Sequence, residues 1–376
     1  MDILPSQFTS LWLCGLWEDN VKSSLERKFY RFIVLLLIHC FTLSEIIQFF
    51  RTCESLEHFV EIYPSLTFII FCWKVVNFII KKNDMREILN EFRHHLFKPS
   101  TIEENLIVDK YYRKSQKIFK FIITIFTLCG ISIALTPLLK WKEKIMLPFN
   151  LYYPFDVSSP IIFTTTYAFE SLLNSFSIII NVTLDTTVYG FMLITIGQFE
   201  LCACRLENSS VNETNGISLD KIKEYVNHHV LVLKIVKQIE SFFMVAVLPF
   251  FLISLLTFCT IIFQIAQQKS LLDGNLFQYI MLIQYVTCVL SQIFLYCWYG
   301  CLIDEKSKDV SSAVYSSNWV QSNYSNRRNL LLMLLIAERG SSISFQSLCT
   351  LNLQTFGWVI KTSYAAVNLL NKVDIS

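Results

Sequence analysis

The sequence predicts an all-α membrane protein with seven transmembrane helices, a cytoplasmic N-terminus, an extracellular C-terminus and a short cytoplasmic helix before the last span. Its mean hydropathy is +0.46, and 16% of its 376 residues are charged, where an average soluble protein has about 25%. Apolar stretches near the roughly 20 residues that a hydrocarbon core requires recur seven times. Most basic residues lie in connections on one side of the membrane, and this asymmetry predicts the orientation of the chain.

The seven stretches follow an N-terminal segment that has no uninterrupted apolar core and no small-residue cleavage site, so it is not a secretory signal. Trp12, Trp17 and Glu18 in that segment predict a cytoplasmic helix lying near the membrane. The predicted spans are residues 32–50, 60–80, 119–139, 169–196, 241–266, 277–303 and 345–370. The fourth, fifth and sixth are long, which indicates tilt or helices that project past the bilayer.

Orientation follows from the lysine and arginine residues in the connections. With Lys120 counted in its loop, 24 of the 32 lie on the same side as the N-terminus and six on the other. Such an excess marks the cytoplasmic side. G-protein-coupled receptors have the opposite orientation, and the chain lacks their acid-arginine-aromatic triplet. Because the last span ends close to the C-terminus, we expect no cytoplasmic signalling tail.

Catalytic, metal and cofactor sites are not predicted. The pairs His94-His95 and His228-His229 are adjacent, not at helical metal-ligand spacing, and are interpreted as solvated loop residues. Neither a nucleophile–base pair nor a phosphate-binding glycine loop is present, and nothing indicates a nucleic-acid partner. The pattern favours a protein that is not an enzyme.

Ionisable residues inside spans are the first functional candidates, since each is costly in lipid unless paired or hydrated. Glu45, Lys74, Glu170, Asp185, Glu240 and Lys361 are of this kind. Asp185 is predicted to be a hydrogen-bonded packing anchor between helices, with a ligand contact as the alternative. For Lys361 the alternatives are a water-filled path and a neighbouring subunit.

The second half of the chain carries a set of motifs that is specific when taken together. Tyr299-Gly300 closes the sixth span, and Arg327-Arg328 precedes a short apolar segment. The other elements are Asp185-x-x-x-Tyr189-Gly190, Gln198-Phe199-Glu200, Arg205-Leu206-Glu207, Ser307, Ala313-x-Tyr315-x-x-x-Trp319, Leu351-x-Leu353-x-Thr355-Phe356 and Ile360-Lys361-Thr362-Ser363-Tyr364. In these residues the chain resembles the insect odorant receptors.

The resemblance implies a subunit of a tetrameric, ligand-gated cation channel in the plasma membrane of an olfactory neuron dendrite. It implies a tuning subunit that pairs with the olfactory co-receptor, because the loop between spans four and five is short. Residues 1–31 would be the cytoplasmic N-terminal segment and 32–303 the first six spans with basic inner loops. Residues 304–344 would be a cytoplasmic anchor and 345–376 the pore-lining helix with a short extracellular end.

The resemblance also assigns pore residues. The hydrophobic gate positions of the family match Leu369 and Val373, whose four-residue spacing places both on one helix face. Lys372 stands where the co-receptor has a neutral polar residue. Four lysines around a cation pore would oppose conduction, which argues for a heteromer.

The ligand pocket that the resemblance implies lies in the outer half of the subunit, between spans two, three, four and six. Aromatic and small residues there suit a small volatile, largely apolar ligand. The candidates chosen by helical phase are Tyr63, Thr67, Ile70, Thr127, Gly130, Ala134, Phe176, Ile179, Leu282 and Tyr285. Ordinary core packing is the alternative for each of them.

Three functions are therefore compared. The leading one is an odorant receptor subunit of a heteromeric channel. A gustatory-receptor-like channel shares the topology and differs in the polarity of its ligand. A metabotropic receptor of inverted topology is less favoured, because the motifs belong to a channel family.

Overall fold

The computed structural model is a bundle of long helices. It describes residues 3–18, 24–52, 62–139, 146–212, 218–267, 276–317, 319–345 and 349–375. In those ranges the α-helices are α1 (Pro5–Leu13), α2 (Leu25–Thr52), α3 (Tyr63–Ile80), α4 (Lys82–Phe92), α5 (Ile102–Leu139), α6 (Pro160–Asn212), α7 (Leu219–Gln267), α8 (Leu276–Ser316), α9 (Tyr324–Glu338) and α10 (Leu353–Ile375). Short 3₁₀ helices lie at His95–Phe97 and Trp319–Gln321.

Six of the described helices, α2, α3 and α5 to α8, are long and apolar enough to cross a membrane. The all-helical membrane fold is therefore confirmed, and α10 is a further helix at the end of the chain. At 1.5 Å per residue, the 53 residues of α6 span ~80 Å, more than twice the ~30 Å hydrocarbon core. The long fourth, fifth and sixth predicted spans thus correspond to helices that extend well past the bilayer.

Helix α6 occupies the centre of the bundle, with α5, α7 and α8 packed along it and α1, α2 and α3 also in contact. Its middle is buried on every side, and residues 182–193 are all buried. Neighbouring helices approach α6 closely where α6 presents a glycine to them. A side chain at Gly197 would lie 2.9 Å from the ring of Tyr111 on α5.

The two ends of the bundle differ. The pocket end consists of the parts of α2, α3, α5, α6 and α8 around the cavity described below, with residues 146–150 packed across them. The anchor end consists of α1, α4, α9 and the extensions of α5 to α8 around residues 102–118, 197–240 and 304–316. Helix α1 is docked into this end: Leu4, Gln7 and Leu11 are fully buried.

The start of the last helix differs from the prediction. A helix was expected over 345–370, but residues Ser344–Phe345 and Cys349–Thr350 form a two-residue antiparallel ladder, and α10 begins at Leu353. Glu240 on α7 accepts hydrogen bonds from the Ser344 backbone N–H (2.9 Å) and hydroxyl (3.1 Å). Asn352 then accepts a hydrogen bond from the Thr355 N–H (2.8 Å), a helix cap that sets where α10 starts.

Candidate functional site: a cavity between the helices

A cavity of about 380 Å³ lies at the pocket end, within the ~300–1,000 Å³ typical of small-molecule sites. Helices α2, α3, α5, α6 and α8 and the segment 146–150 contribute its wall. Its aromatic residues are Phe49, Tyr63, Phe68, Phe71, Phe126, Phe149 and Tyr285. Phe68 and Phe149 meet edge to face at 5.8 Å, so the segment 146–150 covers the cavity through aromatic contacts.

Four of the ten residues predicted to bind ligand line this cavity: Tyr63, Thr67, Gly130 and Tyr285. The ring of Tyr63 lies 5.1 Å from that of Tyr285, edge to face. Thr67 and Tyr285 share a hydrogen bond between their hydroxyls. Side chains from α3 and α8 thus meet as the sequence predicts, and ligand contact by them stays a prediction.

The other six predicted residues do not line the cavity. Thr127 and Ile179 are exposed on the outside of the bundle, and Ile70 and Leu282 are buried in helix packing. Ala134 and Phe176 are half-buried, and the Ala134 carbonyl accepts a hydrogen bond from Tyr167.

The cause of these errors is the helical phase, since one residue is a rotation of about 100°. On α5 the cavity face includes Phe126, Gly130 and Ile133, and on α6 it includes Asn174, Ile178 and Asn181. Thr127 and Ile179 each follow a cavity residue by one position. The sequence prediction names α3, α5, α6 and α8 but not α2, and of the residues it names on α5 and α6 only Gly130 lines the cavity.

Glu45 and the segment 146–150 are cavity features that the pocket prediction omitted. Glu45 was visible in the sequence as an acid inside a span. The segment carries no such signal, because its place depends on Glu170, which accepts hydrogen bonds from the Phe149 N–H (3.0 Å) and the Tyr153 hydroxyl (2.6 Å).

A buried ion pair lies beneath the cavity. Lys74 on α3 is 2.8 and 2.9 Å from the two carboxylate oxygens of Asp185 on α6. Gln292 and Tyr296 on α8 donate to the same carboxylate at 2.6 and 2.7 Å. The packing-anchor interpretation of Asp185 fits this geometry, since one carboxylate joins three helices.

Helix α8 connects the cavity and this network to the last helix. Gln292 lines the cavity, and its carbonyl accepts a hydrogen bond from the Tyr189 hydroxyl (3.1 Å). Two residues further along α8, Phe294 packs against Phe356 of α10, with 5.5 Å between the ring centroids. A side chain at Gly300 would meet the Leu351 carbonyl oxygen and lie 2.6 Å from its Cβ. Helix α8 therefore contacts both the cavity and the start of α10.

The predicted gate residues Leu369, Lys372 and Val373 belong to α10, whose backbone is described to Ile375. Their side chains lie outside the described residues, so their role stays a prediction. Earlier in α10, Val359, Ser363 and Val367 face the bundle and are buried. Lys361 is exposed on the opposite face, beside Trp358 and Tyr364.

Arg205 organises the anchor end. Its guanidinium donates to the carbonyls of Leu96 (2.7 Å) and Lys98 (2.8 Å) and forms an ion pair with Glu104 (3.0 Å). His228 lies 3.3 Å from the same guanidinium and 3.1 Å from the Gln198 side chain. The prediction that His228 and His229 are solvated is wrong, because both are buried in α7.

The arrangement described so far has a defined class. It is a polytopic helical membrane protein with an aromatic cavity between its spans, a buried polar network beneath the cavity, and a helix, α8, that contacts both the cavity and the last helix. The sequence pattern of the family described as 7tm Odorant receptor matches residues 54–364. The chain therefore belongs to the odorant receptor family, which is a family of receptors and not of enzymes.

Relatives of known name agree with this assignment. Odorant receptor 13a of Drosophila melanogaster is 22% identical over 80% of this chain and 76% of its own length. Odorant receptor 94a of the same fly is also 22% identical and covers 96% of this chain and 95% of its own. In fold, the chain matches the olfactory receptor OR5 of the insect Machilis hrabei, solved in complex with eugenol, with a TM-score of 0.85 at 17% identity, over 98% of this chain and 97% of that one.

Proposed function

We propose that this chain is the ligand-tuning subunit of a heteromeric, ligand-gated, non-selective cation channel that it forms with the olfactory co-receptor. It binds a small volatile, largely apolar molecule in the plasma membrane of olfactory neuron dendrites. Its N-terminus is cytoplasmic and its C-terminus extracellular. The observation that carries the proposal is the aromatic cavity of about 380 Å³ between α2, α3, α5, α6 and α8.

Ligand binding acts on the last helix through α8. A ligand in the cavity contacts Tyr285 and Gln292, and the same helix packs against α10 at Phe294. Occupancy of the cavity favours the open pore only if the ligand binds the open state more tightly than the closed one. The proposal requires a shift of α8 relative to α10, which α8 contacts directly at Phe294 and, through Leu351 just before α10, at Gly300.

Assembly with other subunits covers apolar surface that a single chain leaves exposed. On α9, Leu332, Leu335 and Ile336 are each about half exposed, although α9 is not one of the six membrane-crossing helices. On α10, Trp358 and Tyr364 are exposed beside Lys361. Exposed apolar residues grouped on helices in this way are typical of subunit interfaces.

The test is current recorded from cells that express this chain alone, the co-receptor alone, or both, during application of an odorant panel. We expect odorant-evoked cation current from the pair that neither subunit gives alone. Persistence of the current in an excised patch separates a channel from a metabotropic receptor. Equal current from this chain alone would contradict the heteromer, and loss of current on excision would contradict the channel.

A further inference from the structure

Glu45 places a carboxyl group in the wall of the cavity. The residue lies on α2 and is 5% exposed, and one of its carboxyl oxygens, Oε2, has no hydrogen-bond partner among the described residues. The carboxyl group does bond to the Ser65 side chain. A buried acceptor without a partner is costly, so an open hydrogen-bonding position on the wall of a cavity points to a ligand.

Among the described side chains, none supplies Glu45 with a positive charge. Lys74 is bonded to Asp185, and the Arg51 guanidinium lies over the ring of Tyr152 at 4.2 Å. The charged group that acts on Glu45 is another acid, Glu170. An ionised carboxylate in an apolar site needs a cation beside it. Without one, such a group stays protonated, so its ionised form is available only to a ligand that brings a positive charge.

Two further acceptors line the same cavity. In the described part of the chain, seven buried side-chain nitrogen and oxygen atoms lack a partner, and three of them belong to cavity residues: Glu45 Oε2, Ser177 Oγ and Gln264 Oε1. Carboxylate and amide oxygens accept hydrogen bonds only, and a serine hydroxyl accepts as well as donates. The unsatisfied groups of the cavity therefore call for hydrogen-bond donors.

The remaining wall is aromatic, and aromatic faces attract cations. We propose that the cavity takes a small amine, with its ammonium N–H groups donated to Glu45 and its hydrocarbon body packed against Tyr63, Phe68 and Phe149. This inference rests on the proposed function in that it takes the same cavity as the odorant site. It narrows the ligand from any small apolar volatile to one that carries a basic nitrogen.

The test measures binding without using channel current. The full-length chain is purified in nanodiscs, and its thermal unfolding midpoint is followed with three ligands of matched shape: 2-phenylethylamine, 2-phenylethanol and ethylbenzene. We expect the amine to bind about tenfold more tightly than the alcohol, since hydrogen bonds between charged groups are the stronger kind. In Glu45→Gln, which keeps the shape of the side chain, the advantage of the amine disappears and binding of the alcohol persists. Glu26→Gln changes an exposed acid on the same helix and leaves the advantage intact.

Three outcomes would overturn the proposal of an amine ligand. The first is equal binding of amine and alcohol by the unsubstituted chain, and the second is an amine preference that survives in Glu45→Gln. The third is the absence of binding by all three ligands. The proposed function is judged separately by current. If other odorants evoke a current that Glu45→Gln does not change, the channel function stands and the amine ligand is wrong. If the amine binds without any current, the amine site stands and the channel function is wrong.

Discussion

Lys74 and Asp185 form an ion pair in the middle of the membrane-crossing bundle, with side chains 6% and 2% exposed. Such a pair is retained only if every charge has a partner, because an unpaired charge in this environment is strongly unfavourable. Asp185 accepts from three residues on two other helices, and Lys74 also lies 4.1 Å from the ring of Phe250 on α7. At the scale of the residue, this pair holds α3, α6 and α8 in register under the cavity.

Lys74→Met is expected to lower the free energy of unfolding by about 3–5 kcal/mol, because it leaves the Asp185 carboxylate buried without a cation. The double variant Lys74→Met with Asp185→Asn is expected to recover part of the loss, since the amide is neutral. Its oxygen still accepts a hydrogen bond from either Gln292 or Tyr296, and its NH2 group can donate to the side-chain oxygen of the other. Thermal or denaturant unfolding of the purified chain measures both.

Lys110→Met is the matched control. Lys110 forms an ion pair of the same 2.8 Å length with Glu200, but its side chain is 57% exposed, so we expect a change of about 0–1 kcal/mol. If Lys74→Met were as mild as Lys110→Met, the Asp185 carboxylate would have another partner or access to water, and the anchoring role of the pair would be wrong.

At the scale of the element, α1 is a docked part of the anchor end. Leu4 fills the space above Gly190 of α6, and the Ser6 hydroxyl donates to Gln116 of α5 at 2.6 Å. The start of α1 therefore contacts both α5 and α6. The N-terminal segment thus stabilises the packing of α5 against α6.

Leu11→Ala is expected to cost about 2–5 kcal/mol of stability, because Leu11 is fully buried and its loss leaves a cavity. Leu13→Ala on the same helix is the control, since Leu13 is 59% exposed and we expect little change. The measurement compares the unfolding midpoints of the two purified variants with that of the unsubstituted chain. Similar midpoints would mean that α1 is not docked in the folded protein.

The contact between α8 and the chain before α10 is the other element-scale feature. Gly300→Ala places a methyl group against the backbone of Leu351, which cannot move aside as a flexible side chain can. We expect misplacement of α10, with reduced surface expression and a loss of evoked current larger than the loss of protein. Electrophysiology scaled to surface labelling measures this.

Gly357→Ala tests whether the effect of Gly300→Ala arises from the contact between Gly300 and Leu351. Gly357 lies within α10, and nothing lies within 4 Å of a side chain built there. Alanine favours the helix over glycine by roughly 1 kcal/mol, so we expect normal or raised surface expression. A loss of expression in Gly357→Ala equal to that in Gly300→Ala would point to a general intolerance of glycine replacement.

At the scale of the whole molecule, the proposed tetramer brings the last helices of its subunits together around one pore. Lys372 belongs to this helix, and a ring of four lysines opposes the passage of cations. Lys372→Gln is therefore expected to give the chain expressed alone a measurable odorant-evoked current, and to raise the cation conductance of the heteromer.

Whole-cell and single-channel recording test this prediction, with Lys28→Gln as the control at an exposed lysine outside α10. A chain that stays silent alone after Lys372→Gln, while reaching the cell surface, would show that something other than the lysine ring prevents a functional homomer.

Much of this protein follows from the sequence by itself. The spacing of apolar stretches predicts the membrane-crossing helices, because the bilayer requires about 20 apolar residues per span. The motifs around Asp185, Tyr299 and Arg327 identify the family. Four of the residues predicted to bind ligand, Tyr63, Thr67, Gly130 and Tyr285, line the cavity, and ligand contact by them stays a prediction.

Tertiary structure alone decided the rest. Lys74 and Asp185 are 111 residues apart, and nothing local shows that they pair. His228 looks like a loop residue in sequence and is buried because Arg205 and Gln198 arrive from α6. A single residue of helical phase separates Thr127 on the outside from Phe126 in the cavity. Local periodicity determines that a helix forms, whereas its rotation and its partners depend on contacts between residues far apart in the chain.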